Sequence, residues 1–388
     1  MTISFSSKRI LVVGSEVGPI VQLLKERIPK VSIGAVDVLG NQETRNNADW
    51  KFSVEKQSPD TSIFRVKHRC ILDLLLELTL VMLEDLEFDL LIPLSPFQTK
   101  PQYIHRLTQE VEVVAPNYKS LEQVTPAYTF LTNISSKLPE LIPPSFYISD
   151  LSKEQPINFP AVFVSHHQMY QISSDKPIPS GNSSKQSGYL LPISQVHCAF
   201  FLCSIQYVRF LGLQTLSTPH EHAFFPDYLE KNAMIPFSLP SGFTYEGIIS
   251  YLSQIITQLR VFGLITIYFG LSKDEIFPVS CNVLADENFN LWEKRSPKTL
   301  VPFLISLKAD QLPQHPSSVF AFKLPIYSSR SIRVPPLPKD LCTQRNLPRV
   351  ISHPNYPLCA ISGTSFTSSS INNLFQRKRK EILEILHS

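Results

Sequence analysis

Glycine is scarce in this chain: 12 residues in 388, about 3% against a usual ~7%. The shortage bears on chemistry, because loops that cradle phosphate use glycine to bring backbone amides close to the anion. Cysteine is sparse and scattered, at positions 70, 198, 203, 281, 342 and 359, with no CxxC pair. That implies neither a zinc site of the usual spacing nor a disulfide framework, and reduced thiols in a cytoplasmic protein are the expectation. An excess of one charge is also missing. Lys plus Arg number 36 and Asp plus Glu 33, a net of +3, so the total gives no electrostatic case for nucleic acid. The opening residues, MTISFSSKRILVV, hold no apolar run of the signal-peptide kind. The longest uncharged run, Gln186 to Val208, contains Pro192, Ser194, Gln195, His197, Ser204 and Gln206. It is too polar for a membrane span and reads as buried strand.

What is present suits ordinary globular cores. Hydrophobic residues make up 43% of the chain, and 388 residues suggest two or three domains. Arg9 to Val13 reads as a short apolar strand, Gly14 to Gly18 as a turn, and Pro19 to Arg27 as a helix with proline in its first turn. Val31 to Val36 is a second strand, ending at Asp37. This β-loop-α-β unit opens a doubly wound domain. Its GSEVG loop is not GxGxxG, and Glu16 would repel phosphate, so a structural turn is the better reading. Ile71 to Leu86 is an amphipathic helix. Phe88 to Pro93 and Val111 to Pro116 read as strands, and the first domain closes near Asn117.

Tyr118 to Leu138 reads as one helix, Phe159 to Ser165 as a strand, and Val196 to Ser204 with Tyr207 to Ser217 as a hairpin. Tyr245 to Leu259 is an amphipathic helix. It leads into the most telling stretch, Leu259 to Arg295. There Leu264 to Leu271 has the β-branched and aromatic content of a buried strand. A polar turn (Ser272 to Glu275) leads to a second strand from Ile276, in which Pro278 signals an edge position or an irregularity. Asn282 stands at that strand's end, before the acidic pair Asp286 and Glu287. Lys298 to Leu307 reads as a helix and Val319 to Ile326 as a strand. Ser370 to Ser388 reads as a helix, with Ser370 as N-cap and a solvent-facing basic run, Arg377 to Lys380.

The hairpin and the order of elements, over roughly residues 8–386, resemble the ATP-grasp ligases. The run DVLGNQETRNNADW and the segment His353 to Gly363 are similar to an archaeal and methylotroph branch of that superfamily. The resemblance implies an α/β chain of ATP-grasp architecture. A doubly wound parallel pre-ATP-grasp domain (1–117) would be followed by a central α+β ATP-grasp domain (118–310). A small β-rich C-terminal subdomain carrying the basic helix (311–388) would follow. It also implies ATP and Mg2+ as cofactors, held by an acidic residue on the first hairpin strand and a Glu-x-Asn on the second. Laid on that pattern the first carboxylate falls at Tyr268 and the Glu at Ser280, while the Asn is kept as Asn282, the one implied metal and nucleotide contact. The phosphate-binding lysine falls at Val164 or Ser165. The acidic hinge is replaced by Leu190, Leu191 and Pro192, and the Gly-rich flap by a segment with only Gly181 and Gly188, carrying Lys176 and Lys185. The acidic-Gly step before the hairpin reads Val196-His197-Cys198.

Two functions follow, with a third behind them. In the first, ligase catalysis is lost and the chain is a binding or scaffold subunit for a protein partner or paralogous ligase. In the second it is an active Mg/ATP-dependent carboxylate–amine ligase working through an acyl phosphate on a small-molecule carboxylate, with Asp274, Glu275, Asp286 or Glu287 as displaced ligands. The third is a small-molecule binder without turnover. A homodimer is implied by analogy alone. The pairs His166-His167 and His220/His222 have metal-ligand spacing but lack a third ligand. The expectation includes neither nucleic acid nor membrane among the partners.

Overall fold

The architecture was obtained as a computed structural model. It describes residues 8–15, 17–28, 30–38, 41–53, 71–141, 147–148, 161–165, 169–172, 187–204, 208–216, 228–230, 233–272, 275–286, 289–295, 301, 320–343, 345, 351–352 and 357–387. The chain divides into two compact units. One comprises Met1–Ala115, Ser217–Pro236 and Leu284–Ser388, the other Pro116–Leu216 and Phe237–Val283.

The first unit opens as its apolar runs demand. Strands β1 (Arg9–Gly14), β2 (Ser32–Asp37), β3 (Trp50–Ser53) and β4 (Leu90–Pro93) form a parallel sheet in the order β3-β2-β1-β4. Helices α1 (Gly18–Arg27), α2 (Gln42–Asn47) and α3 (Ile71–Asp85) connect them. Ile10 to Val13 and Leu90 to Ile92 are fully buried, as strands covered on both faces should be. The expected strand at 111–116, which follows α4 (Pro101–Leu107), shrinks to a single bridge, Val113 beside Leu91. Asn41 caps α2, accepting from Thr44 N at 2.9 Å, and Glu43 behind it is 4% exposed. Arg345 meets that carboxylate from the C-terminal part, through its backbone N at 3.0 Å and its Nε at 2.8 Å.

The remainder of this unit is β-rich. Strand β15 (Phe320–Ser328) pairs with β11 (Tyr228–Glu230), β12 (Met234–Pro236) and β19 (Pro357–Ser365), and β17 (Cys342–Thr343) edges β19. Two short strands, β16 (Ile332–Arg333) and β18 (Ile351–Ser352), pair separately. Helix α8 (Phe289–Arg295) packs on β15 and β19, as does the terminal helix α9 (Ser368–His387), whose Ile371, Phe375, Ile382 and Leu383 are buried. Its cap is Thr367, whose Oγ1 accepts from Ser370 N at 3.2 Å, not Ser370 as expected. The basic run does not all face solvent either. Arg379 is 7% exposed, and Lys378 donates to the carbonyls of Asp340 and Ser362. Arg377 and Lys380 are exposed and lie 3.9 Å from Glu381 and Glu384. Of the expected helix at 298–307 only Val301 lies within the described residues.

In the second unit the single helix expected over 118–138 is two, α5 (Tyr118–Val124) and α6 (Ala127–Lys137). Pro126 explains the break: it has no N–H to donate and disfavours helical backbone at Thr125. Beyond them a small antiparallel sheet runs in the order β5-β8-β6-β7, with β5 (Tyr147–Ile148), β6 (Ala161–Ser165), β7 (Met169–Ile172) and β8 (Gly188–Leu191). A larger antiparallel sheet is built from β14 (Glu275–Asn282), β13 (Gly263–Ser272), β9 (Val196–Cys203) and β10 (Val208–Leu216), in that order. Helix α7 (Tyr245–Leu259) starts on the Thr244 cap, whose Oγ1 accepts from Gly247 N, and ends at Arg260 in the left-handed region. Its buried face is Ile248, Leu252, Ile255, Ile256 and Leu259, and each fully buried side chain of this kind contributes about 1.5–3 kcal/mol. Helix α6 touches β6, β8, β14 and α7, which ties the small sheet to the hairpin.

Candidate functional site

The hairpin β13–β14 is the expected one, and its register decides which residues act together. Thr266 lies opposite Asn282, and Tyr268 opposite Ser280. Side chains alternate along a strand, so these four share one face, while Ile267 and Cys281 turn to the other and are buried. The ladder shifts between Tyr268 and Phe269, where Pro278 pairs next instead of Val279. Pro278 therefore sits beside a bulge, on the strand at the end of the sheet order, as a residue without an amide proton must.

The neighbouring strands extend this face. Phe200 stands opposite Thr266 and Cys198 opposite Tyr268. On β10, Gln214 faces Cys198, Gly212 faces Phe200 and Arg209 faces Leu202. Nη1 of the half-buried Arg209 is buried without a hydrogen-bond partner among the described residues. The sequence reading missed Arg209, and its place in an alternating strand was the only available signal. The hairpin itself offers one amide and three hydroxyls. Thr266 is 4% exposed, and Tyr268, Ser280 and Asn282 are half-buried. No carboxylate stands in this block.

The segment linking the small sheet to β9 closes on the same face. Ile193 is fully buried. It fills the space above Gly270: a Cβ there would lie 2.4 Å from Ile193 Cγ2 and 2.5 Å from its Cδ1. Gly270 follows Tyr268 by two residues and so shares its face. In the small sheet, Val164 is fully buried and pairs with Tyr189. Gly188 packs so closely that a Cβ would meet the Val164 carbonyl oxygen at 2.4 Å. Tyr189 donates to Thr132 of α6 at 3.2 Å.

His197 stands on the opposite face of β9 and is a core residue. Its Nδ1 lies 3.0 Å from Thr215 Oγ1, and the rings of Phe237 and Phe269 pack at 5.0 and 5.4 Å. Burial pushes its pKa down to about 4. Glu275 opens β14 opposite Ser272, seven residues before Asn282, which is roughly 23 Å along the strand. It does not reach the Asn282 end. Asp286, in the first unit, is 6% exposed, and its carbonyl accepts from Phe289 N at the start of α8. Glu16, Asp274, Glu287, Lys176, Lys185, His166, His167, His220 and His222 lie outside the described residues. Among the described residues no group of three or more His, Cys, Asp or Glu is placed to hold a metal ion, and no helix is long and apolar enough to cross a membrane.

No protein-family model matches the chain, and no curated protein matches its sequence. Solved structures do match its shape. The biotin carboxylase domain dimer of Hydrogenobacter thermophilus 2-oxoglutarate carboxylase, in complex with MgADP, ADP and bicarbonate, superposes at a TM-score of 0.65 and 11% identity, over 96% of this chain and 89% of that one. An L-amino acid ligase from Bacillus licheniformis gives 0.64 and 11%, over 97% and 98%. A pyruvate carboxylase from Rhizobium etli gives 0.69 and 12% over 96% of this chain, which spans only 39% of that longer one. At such identities the likeness is one of architecture, and it assigns this chain the ATP-grasp fold: a parallel α/β N-terminal part, a central α+β part with the antiparallel hairpin, and a β-rich C-terminal part.

Proposed function

We propose that this protein keeps the ATP-grasp frame without ligase catalysis and works as a binding or scaffold subunit, for a paralogous ligase or another protein partner. The observation that carries this reading is the carboxylate-free block Thr266, Tyr268, Ser280 and Asn282, paired across one face of the hairpin. A ligase of this fold transfers a phosphoryl group from ATP to a carboxylate, and an amine then attacks the acyl phosphate. Charge develops on the transferring group, and metal ions and cations must meet it. Mg2+ takes oxygen ligands in near-octahedral geometry and is usually held through one or two carboxylates. The single amide of Asn282 and three hydroxyls do not fit a magnesium triphosphate. Loss of one such stabilising donor costs on the order of 10²–10³ in rate. Two further observations agree. Val164, at a position where the fold's lysine is expected, is buried within its sheet, and Ile193 occupies the space over Gly270. A reducing, cytoplasmic setting fits the cysteines at 198, 203, 281, 342 and 359, which are buried thiols.

The test is a thermal-shift titration of the full chain with ATP and Mg2+, and with ATP alone. A ligand that binds the native state raises its stability by RT ln(1 + [L]/Kd). We expect no change in Tm up to millimolar nucleotide. A magnesium-dependent rise would overturn the reading in favour of an active carboxylate–amine ligase, and Asp286 would become the first substitute ligand to mutate.

A further inference from the structure

Helix α3 carries a pattern that neither the fold nor the hairpin uses. Its inner face, Leu72, Leu75, Leu76, Thr79 and Met82, is buried, and the helix packs on β1 and β2. One flank is taken by α4: Asp73 is paired with Lys100 Nζ at 2.5 Å and accepts from the Tyr103 hydroxyl. On the opposite flank Ile71, Leu74, Leu78 and Val81 recur at spacings of three, four and three residues, the a/d seam of two heptads. Ile71 is 41% and Val81 46% exposed, and Leu74 and Leu78 are half-buried. A seam of this length runs about 15 Å.

Within α3 and the turn that follows it, the described charged side chains beside the seam are all acidic. Glu77 and Glu84 are exposed at the two flanking g positions, Asp85 is exposed at the end of the seam, and Glu87 follows. From Ile71 to Thr99 the chain contains no Lys, Arg or His at all. Charges at such flanking positions choose the partner of a helical seam. A second copy brought antiparallel would set these glutamates against themselves, and like charges across an interface cost affinity.

We propose that this flank of α3 is the docking seam for a partner protein's amphipathic helix, one that presents aliphatic side chains to Ile71, Leu74, Leu78 and Val81 and Lys or Arg to Glu84 and Asp85. This is the helix-on-apolar-stripe mode of recognition, in which apolar anchors supply affinity and the charged rim supplies selectivity. The seam belongs to the first unit and the hairpin to the second, and the proposal uses no residue of the hairpin, so it does not depend on how the nucleotide question is resolved.

The experiment is a fluorescence-anisotropy titration of the full chain, without nucleotide, into a labelled synthetic helix with leucine at a and d and lysine at e and g. A sequence-scrambled peptide of the same composition is the control. We expect saturable binding of the patterned peptide only, weakened by added salt because the rim pairs are exposed. Val81→Lys and Glu84→Lys, both at exposed positions the core does not need, should each weaken it on the order of tenfold, about 1.4 kcal/mol. Equal binding of the scrambled peptide would reduce the face to a non-specific acidic surface and overturn the proposal. So would undiminished binding by the two variants, or no saturable binding at all. A concentration-dependent dimer in sedimentation that Val81→Lys dissolves would assign the seam to a second copy instead, and would also overturn it.

Discussion

At the scale of the residue, His197 shows how packing can remove a side chain from chemistry. Imidazole is the one side chain that ordinarily titrates near neutrality. Here the ring lies between Phe237 and Phe269 with one nitrogen against Thr215, and burial holds its pKa at about 4 instead of 6.5. The neutral form is the one the fold accommodates. Between those two values the unfolded chain binds more protons than the native one, so stability must fall as pH falls. The contribution is fully present above about pH 6.5 and is lost progressively down to about pH 4, with a ceiling of about 3 kcal/mol at 1.36 kcal/mol per pKa unit. Urea unfolding of wild type and His197→Asn across this window checks it. The variant will be less stable at neutral pH, but its stability should fall less steeply with acidification. Parallel curves for the two proteins would show that the ring is already charged or solvated in the native state. Nothing in Val196-His197-Cys198 as a string separates a site histidine from a core one; the alternation of β9, fixed by its partners, does.

At the scale of the element, the contact of Ile193 with Gly270 joins the linking segment after β8 to the hairpin face. Gly270→Ala would place a Cβ within 2.6 Å of three Ile193 atoms, its own Cβ among them, so the backbone of one partner must shift. Overpacking of this kind costs typically about 1–3 kcal/mol. Adding Ile193→Ala removes Cγ2 and Cδ1, the two nearest of these atoms, and should relieve the larger part of the clash, leaving the double variant more stable than the sum of the single changes predicts. A double-mutant cycle by chemical denaturation measures this coupling, and strict additivity would mean that the two residues are not packed in solution. This contact was not legible in the sequence, because an isoleucine in an apolar run announces burial without a partner. The hairpin was legible. A β-branched run gives one strand, and Pro278 foretold the bulged end strand, since a proline cannot donate into the ladder. Helix α7 was legible from its apolar period alone. Tyr118 to Leu138 was misread as one helix because its apolar content outweighed Pro126. In the basic run of α9, Arg379 lies four residues after Phe375 and three before Ile382, on the apolar face. The helical period was there to be read, and four adjacent charges obscured it.

At the scale of the whole molecule, the frame and the chemistry rest on different residues, and so one can persist without the other. The frame is held by fully buried positions such as Ile267, Phe269 and Val279 on the inner face of the hairpin. Under the proposed reading, the positions that would carry the chemistry are the outer ones, Tyr268 and Ser280, which are half-buried. This separation makes the proposed loss testable by reversal. Tyr268→Asp with Ser280→Glu places two carboxylates in the row that already holds Asn282, without touching the inner core, so the double variant should fold. If the carboxylates were the only things lost, the variant would gain a magnesium-dependent stabilisation by ATP. If the enclosure is lost as well, as Ile193 over Gly270 and the buried Val164 argue, the variant would gain a response to Mg2+ alone and none to added ATP. We expect the second pattern. The readout is Tm against Mg2+ with and without nucleotide, repeated on a triple variant carrying Ile193→Ala. ATP stabilisation of the double variant would show that the cleft had stayed intact around a missing metal. ATP stabilisation appearing only in the triple variant would identify Ile193 as the side chain that closes it.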